Sequence, residues 1–256
     1  MAAGLTGVAR PYWLSVFLDF APSEFDAGAA FWHSATGYLL SDRRGGADEF
    51  ATLVPAEGDD YLRVQRLGEG LTRLHLDVHV AEPWAAAEAA ASLGAELVDA
   101  SPHGYFVMRS PAGVVFCLVG HPSSVVPGLM QWPDGHHSRV GQVCLDIPRA
   151  GYDREVRFWR DLLGGEWVQP DPGDPLVVRG AGEFAVDLRL QPSMFASHPL
   201  GHLHIVTDDR IAEVDRLVDA GAVIRAAREA AIVLEPPGGV PLCVVDLQRG
   251  GITCQA

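Results

Sequence analysis

The sequence predicts an α+β fold made of two tandem copies of one module, and three observations carry that prediction. First, the stretch from Leu71 to Gly120 is written twice, as LTRLHLDVHV…LGAELV…RSPAGVVFCLVG and again as LGHLHIVTDD…AGAVI…EPPGGVPLCVVDL. Second, landmarks recur at nearly constant spacing. Leu18-Asp19 matches Leu145-Asp146, Phe31-Trp32 matches Phe158-Trp159, Gly37 matches Gly164 and Gly94-Ala95 matches Gly221-Ala222, each 127 residues apart. His75 matches His204 at 129, and Gly113 and Cys117 match Gly239 and Cys243 at 126, a drift that short loop insertions explain. Third, each copy reads as the same order of alternating strands and glycine-closed helices. Two copies predict a paired-module domain, because an open solenoid needs about three or more repeats.

Tyr12 to Phe20 is the first predicted strand, rich in aromatic and β-branched residues. Ser23 followed by Asp26 resembles a capping box, and the helix it opens carries Phe31 and Trp32 as core anchors and stops at Gly37. Phe50 to Val54 and Tyr61 to Arg66 are strands around the turn-forming Glu57-Gly58-Asp59-Asp60. Leu71 to Val80 is the clearest strand: Leu74, Leu76, Val78 and Val80 share one face, and Arg73, His75, Asp77 and His79 share the other. Pro83 opens an alanine-rich helix that Gly94 closes, and Tyr105 to Arg109 with Val114 to Val119 form a hairpin across Ser110 to Gly113. His121 to His137, with three prolines and two glycines, reads as a linker. The second copy follows as strand 139–147, helix 153–163, strands 176–179 and 183–190, strand 201–207, helix 211–220 and hairpin 231–247. The expected division is 1–120 for the first module, 121–137 for the linker, 138–250 for the second module and 251–256 for a frayed tail.

With 256 residues, 48% of them hydrophobic, the chain can bury a sizeable core. A formal net charge of −14 argues against nucleic-acid or anionic-membrane partners, which require clustered cations. No apolar run reaches the roughly 20 residues of a membrane span, and the N-terminal segment alternates like a strand, so a cytoplasmic protein without a secretory signal is expected. Cys117, Cys144, Cys243 and Cys254 form no CxxC pair, and three of the four fall in predicted strands, where they read as buried small hydrophobes.

A strand ending in Leu-Asp, Phe158-Trp159 with Leu163-Gly164-Gly165, Leu74 to Val78, Leu93-Gly94-Ala95 and Pro111 to Val119 stand out as a set of motifs. Together they resemble the glyoxalase-like branch of the vicinal oxygen chelate superfamily, which includes glyoxalase I, bleomycin-resistance proteins and extradiol dioxygenases. The resemblance implies two tandem glyoxalase-like modules of paired βαβββ units, with curved antiparallel sheets around a cleft and helices outside. It also implies where ligands of a metal would stand in the superfamily's enzymes: the first strand of a module, the Leu-His-Leu strand and the last strand. Those places hold Ser15, Arg73 and Cys117 in the first module, and Gln142, His202 and Cys243 in the second. None is a carboxylate, and Arg73 would repel a cation, so neither metal nor other cofactor is expected; zinc at Gln142, His202 and Cys243 is the alternative.

Two functions follow from the same residues. In the first, the chain is a metal-free binder that sequesters a small apolar or aromatic molecule, as bleomycin-resistance proteins do, with Arg73, His79, Gln142, His204 and Phe17 as ligand-binding candidates. In the second, it is a lyase or isomerase of glyoxalase type on a small oxygenated substrate, with His75 and His202 as acid/base candidates and Arg73 as an electrostatic clamp. A solvated sheet face with charge pairing among Arg73, Asp77 and the imidazoles is the structural alternative for the histidines. Asp19 and Asp146, each at the end of a first strand, read as caps for the helices that follow. Trp13, Phe17, Tyr105 and Trp132 are candidates for an aromatic ligand wall, and the expected assembly is a monomer or homodimer.

Overall fold

The computed structural model describes residues 10–164, 166–168, 176–179 and 184–247. The first copy runs β1 (Trp13–Phe20), α1 (Phe25–Thr36), β2 (Leu39–Leu40), β3 (Phe50–Val54), β4 (Leu62–Arg66), β5 (Arg73–His79), α2 (Pro83–Ser92), β6 (Glu96–Ala100), β7 (Phe106–Arg109) and β8 (Val115–Val119). The second runs β10 (His137–Pro148), α3 (Tyr152–Leu163), β11 (Glu166–Val168), β12 (Leu176–Arg179), β13 (Asp187–Ser193), β14 (Leu200–Thr207), α4 (Arg210–Asp219), β15 (Val223–Ala227), β16 (Ala231–Glu235) and β17 (Leu242–Asp246). A short strand, β9 (Met130–Gln131), lies inside the stretch 121–137 and pairs with β10.

The sequence of one strand, one helix and three strands therefore recurs, and the α+β fold of tandem βαβββ units stands. One sheet has the order β2-β3-β4-β1-β5-β8-β7-β6, and the other repeats it as β11-β12-β13-β10-β14-β17-β16-β15. The sheets are mixed where antiparallel sheets were expected, because β5 runs parallel to β8 and β14 parallel to β17. Parity explains it. A helix returns the chain after the first strand, the next two strands run up and down, and the third must run up again beside the first.

Local chemistry sets most boundaries. Gly37 (φ +67°) and Gly164 (φ +62°) close α1 and α3 in the left-handed conformation expected of them. Asp209 caps α4 by accepting from the backbone N–H groups of Ile211 and Ala212. The capping box expected at Ser23 does not form: α1 begins at Phe25 without a side-chain cap, and the exposed Asp26 carboxylate is drawn to Arg43 instead. Besides β9, four described strands carried no signal in the sequence, namely β2, β6, β11 and β15. All lie at sheet edges. The five residues of β6 are all exposed, and β15 nearly so, so neither has a buried face to write an alternation into the sequence. Both carry an irregularity at equivalent places, Leu97/Asp99 and Ile224/Ala226, of the kind that blunts an edge against further pairing.

Two compact units divide the described chain. One gathers the start of β1, His75–Val126 and Leu145–Leu200. Its core packs Phe116 at a tilt against Phe158 and edge-on against Trp159, with ring centroids 5.7 and 5.2 Å apart. Buried Glu155 on α3 accepts from Ser110, from the Ala112 backbone and from the Trp159 indole, so it ties the β7–β8 turn to the helix. Burial pushes its carboxyl up from the usual range, against the pull of those donors. The other unit gathers Phe17–Leu74, Pro127–Cys144 and the chain from Gly201 onward. There Gly238, at φ +86°, meets Gly28 of α1 so closely that a Cβ would stand 2.5 Å from the Gly28 Cα; only glycine fits.

Candidate functional site

Strand pairing fixes which residues of the two copies correspond. On β5 and β8, Leu76 lies opposite Phe116 and Asp77 opposite Cys117. On β14 and β17, Leu203 lies opposite Leu242 and His204 opposite Cys243. With Cys117 and Cys243 equivalent, His75 corresponds to His202 and Asp77 to His204, each 127 residues apart (202 − 75 and 204 − 77) like the other landmarks. The match of His75 with His204 at 129 is thus corrected by two residues, and Arg73 corresponds to Leu200 instead of His202. A two-residue slip leaves every side chain on its own face, so alternation could not reveal it.

In the second module, period two on adjacent strands brings polar side chains to one face. Gln142 and Cys144 on β10 are both fully buried, and His204 on β14 is 6% exposed beside half-buried His202. His204 Nδ1 lies 2.9 Å from Gln142 Oε1. A carbonyl oxygen only accepts, so Nδ1 carries the proton and Nε2 presents its lone pair. That Nε2 stands 3.1 Å from Cys144 Sγ and 3.2 Å from His202 Nε2. The ligand atoms of Cys144, His202 and His204 all lie within 4.8 Å of one another. Cys243 sits opposite His204, and Val206, Cys243 and Val245 form a buried apolar cluster with partly buried Leu129, Ala231, Val233 and Leu247 packed against it.

The first module builds a different face from equivalent positions. His75, Asp77 and Cys117 bring their ligand atoms within 4.8 Å of one another, with His75 Nε2 3.6 Å from Asp77 Oδ1. Ser15, the counterpart of Gln142, pairs with His79 Nε2 at 2.8 Å, and His79 Nδ1 donates to the His121 carbonyl at 2.8 Å. His79 is fully buried and is satisfied through both ring nitrogens. Phe17, the counterpart of Cys144, packs edge-on against Phe50 with Arg63 over its ring.

The remaining candidates take structural partners. Arg73 is exposed and reaches buried Asp19 at 3.2 Å, and Asp146 accepts from Gln191; both aspartates bind side chains where caps were expected. Trp132 lies under the Arg216 guanidinium, 3.4 Å from its ring centre, and donates to Ser138. Trp13 is fully buried. Cys254 lies outside the described residues. The functional candidate that sequence reasoning missed is Cys144. The signal was present, since Gln142-x-Cys144 and His202-x-His204 each place two polar residues on one strand face.

A family model for the glyoxalase-like domain matches residues 15–119 and again 142–245. No curated protein matches the chain by sequence. Among solved structures, a variant of 4-hydroxymandelate synthase from Streptomyces coelicolor is similar over 94% of this chain and 95% of its own, with 13% identity and a TM-score of 0.66. A Mn(II)-bound glyoxalase from Novosphingobium aromaticivorans is similar over 94% and 83%, with 18% identity and a TM-score of 0.62. The 2,2',3-trihydroxybiphenyl 1,2-dioxygenase of Sphingomonas wittichii is similar over 94% and 91%, with 15% identity and a TM-score of 0.60. At these identities the likeness shows the fold alone.

Proposed function

Because the chain belongs to the glyoxalase-like family of the vicinal oxygen chelate superfamily, matched in both copies, we propose that it binds a small organic molecule on the histidine-bearing face of the second module. One observation carries this reading. His202 and His204 stand on the same sheet face as the buried apolar cluster of Val206, Cys243 and Val245. A polar end beside an apolar wall suits a compound with an oxygenated head and an aromatic or aliphatic body. Among the described residues no helix is long and apolar enough to cross a membrane.

The structural neighbours include dioxygenases and a manganese-bound glyoxalase, and their chemistry does not transfer by fold. Iron(II) for ring cleavage asks for two histidines and a carboxylate, and manganese for oxygen-rich ligands. The second-module donors are two imidazoles and a thiol, which fit neither. We carry no step through iron or manganese. Metal-free sequestration, in the manner of bleomycin resistance, and turnover by a lyase or isomerase with His202 as acid/base are the two finer readings, and whether the bound ligand is converted separates them.

The test is a fluorescence or calorimetric titration of the purified chain with a panel of small aromatics bearing adjacent oxygens, catechol first. One-to-one saturation, weakened at least tenfold by His202→Ala and by Val233→Glu but little by His75→Ala, is expected. Ligand recovered unchanged means sequestration, and ligand converted means an enzyme. No saturable binding across the panel, or binding indifferent to both second-module variants, overturns the proposal.

A further inference from the structure

We propose that Cys144, His202 and His204 form a binding site for a zinc-class divalent cation, with Gln142 as its positioning residue. No metal was expected, and the set differs from the alternative raised at Gln142, His202 and Cys243, because Cys144 Sγ and His202 Nε2 both lie beside His204 Nε2. The site shares its face with the proposed organic ligand but does not depend on that ligand.

Three features support it. The first is donor chemistry: imidazole and thiolate are the ligands zinc prefers, and three protein ligands leave a fourth position open. The second is spacing. Tetrahedral zinc with nitrogens at about 2.0–2.1 Å sets ligand nitrogens roughly 3.3–3.4 Å apart, and a nitrogen and a sulfur about 3.6 Å apart. The observed His202–His204 separation is 3.2 Å and the His204–Cys144 separation 3.1 Å, within about half an ångström of that geometry. The third is orientation. Gln142 Oε1 takes the Nδ1 proton of His204 and aims its Nε2 lone pair inward, as carbonyl partners of metal-bound histidines do. Two groups, the Cys144 thiol and His202 Nε2, converge on that one lone pair. A cation at that point would lie within reach of all three ligand atoms, which stand within 4.8 Å of one another. Binding converts the Cys144 thiol to thiolate and releases one proton to solvent, so affinity rises with pH.

The first module does not repeat the site. Phe17 replaces Cys144, Asp77 replaces His204, and Ser15 is engaged by His79 in the place of a positioning amide.

The experiment strips the full chain with a chelator under reducing conditions and titrates it with Co2+, read by visible and near-ultraviolet absorption. Expected are tetrahedral d–d bands and a thiolate charge-transfer band that saturate at one equivalent per chain and are erased by competing Zn2+. Cys144→Ala should lose the thiolate band, and half-buried His202→Ala should weaken binding at least a hundredfold. Gln142→Ala should keep the bands with affinity reduced roughly 10–100-fold, the usual loss for an outer-shell partner. Cys243→Ala and Cys117→Ala should keep both spectrum and stoichiometry. The inference is overturned by the absence of tetrahedral bands at millimolar Co2+, by a thiolate band that survives Cys144→Ala, or by one that vanishes in either control. If Cys144→Ala does not fold, His202→Ala decides: unchanged Co2+ affinity there overturns the site. Cobalt bands with no organic ligand bound would sink the ligand reading and leave this one standing.

Discussion

Sheet order, glycine caps and edge irregularities coincide in the two modules, yet the faces that carry their polar residues do not. Ser15, Phe17 and Asp77 of the first module stand where the second has Gln142, Cys144 and His204, while His75 and His202 are shared. In the first, His75 faces an aspartate and Ser15 serves the buried His79. In the second, an amide orients one imidazole toward a second imidazole and a thiol. The copies share their sheet order and helix caps, and they differ at buried positions, where Ser15, Phe17 and Asp77 stand against Gln142, Cys144 and His204.

The helices show the same divergence. Equivalent positions hold Ala86 and Ala89 on α2 but Glu213 and Arg216 on α4. On α4, fully buried Glu213 receives a two-pronged Arg216 at 2.8 Å and His136 Nε2 at 2.8 Å, and Arg216 also binds the Ser34 and Ala35 carbonyls at the end of α1. Trp132 lies under that guanidinium, and Asp134 holds the other nitrogen of His136. Small alanines let α2 pack closely on its sheet, whereas α4 is fastened through charge.

The sharpest way to break this comparison is Glu213→Ala. It copies the first module's alanine into α4 and leaves Arg216 and His136 without their shared carboxylate, so a loss of about 3–5 kcal/mol is expected from urea unfolding. A loss below about 1 kcal/mol would mean that α4, like α2, is held by packing. Next in size, Gly94→Ala and Gly221→Ala probe what the copies share. Both glycines adopt left-handed backbone, at φ +104° and +107°, and each substitution should cost about 1–3 kcal/mol, by similar amounts in the two modules. Unequal costs would show that the equivalence is one of sequence only. Smaller again, Ser15→Ala removes the buried bond to His79 and Gln142→Ala the one to His204, a net hydrogen bond being worth about 0.5–1.5 kcal/mol. Both should lower stability alike in thermal melts, but only Gln142→Ala should alter Co2+ affinity.

The smallest effect is one of pH. Burial opposes the charge on His136, but its bonds to Glu213 and Asp134 outweigh that and hold its pKa above the ordinary 6.5. A raised folded pKa contributes stability that is fully present below about pH 6.5 and is lost as pH rises through the folded value. Stability measured from pH 6 to 8 should therefore fall more steeply in the parent chain than in Glu213→Ala. Equal slopes would place the proton elsewhere.

Much of this was legible in the sequence. A strand with a buried face, such as β1 or β5, writes its alternation, and a helix stopped by a left-handed glycine writes its end, so the repeat, the fold class and the buried Trp32 and Trp159 followed from residue order. Edge strands β6 and β15 bury no face and left no trace. The linker reading likewise passed over β9 and the Trp132–His136 turn, because a two-residue strand is too short to write an alternation and the grip of Glu213 on His136 comes from far along the chain. Residue order alone determined which side chains share a face, because that depends only on the period of two. It could not determine which strand lies beside which, or at what register, since a slip of two residues preserves every face. Tertiary pairing decided that His75 matches His202, that Cys144 meets His204, and that Gln142 aims the imidazole between them.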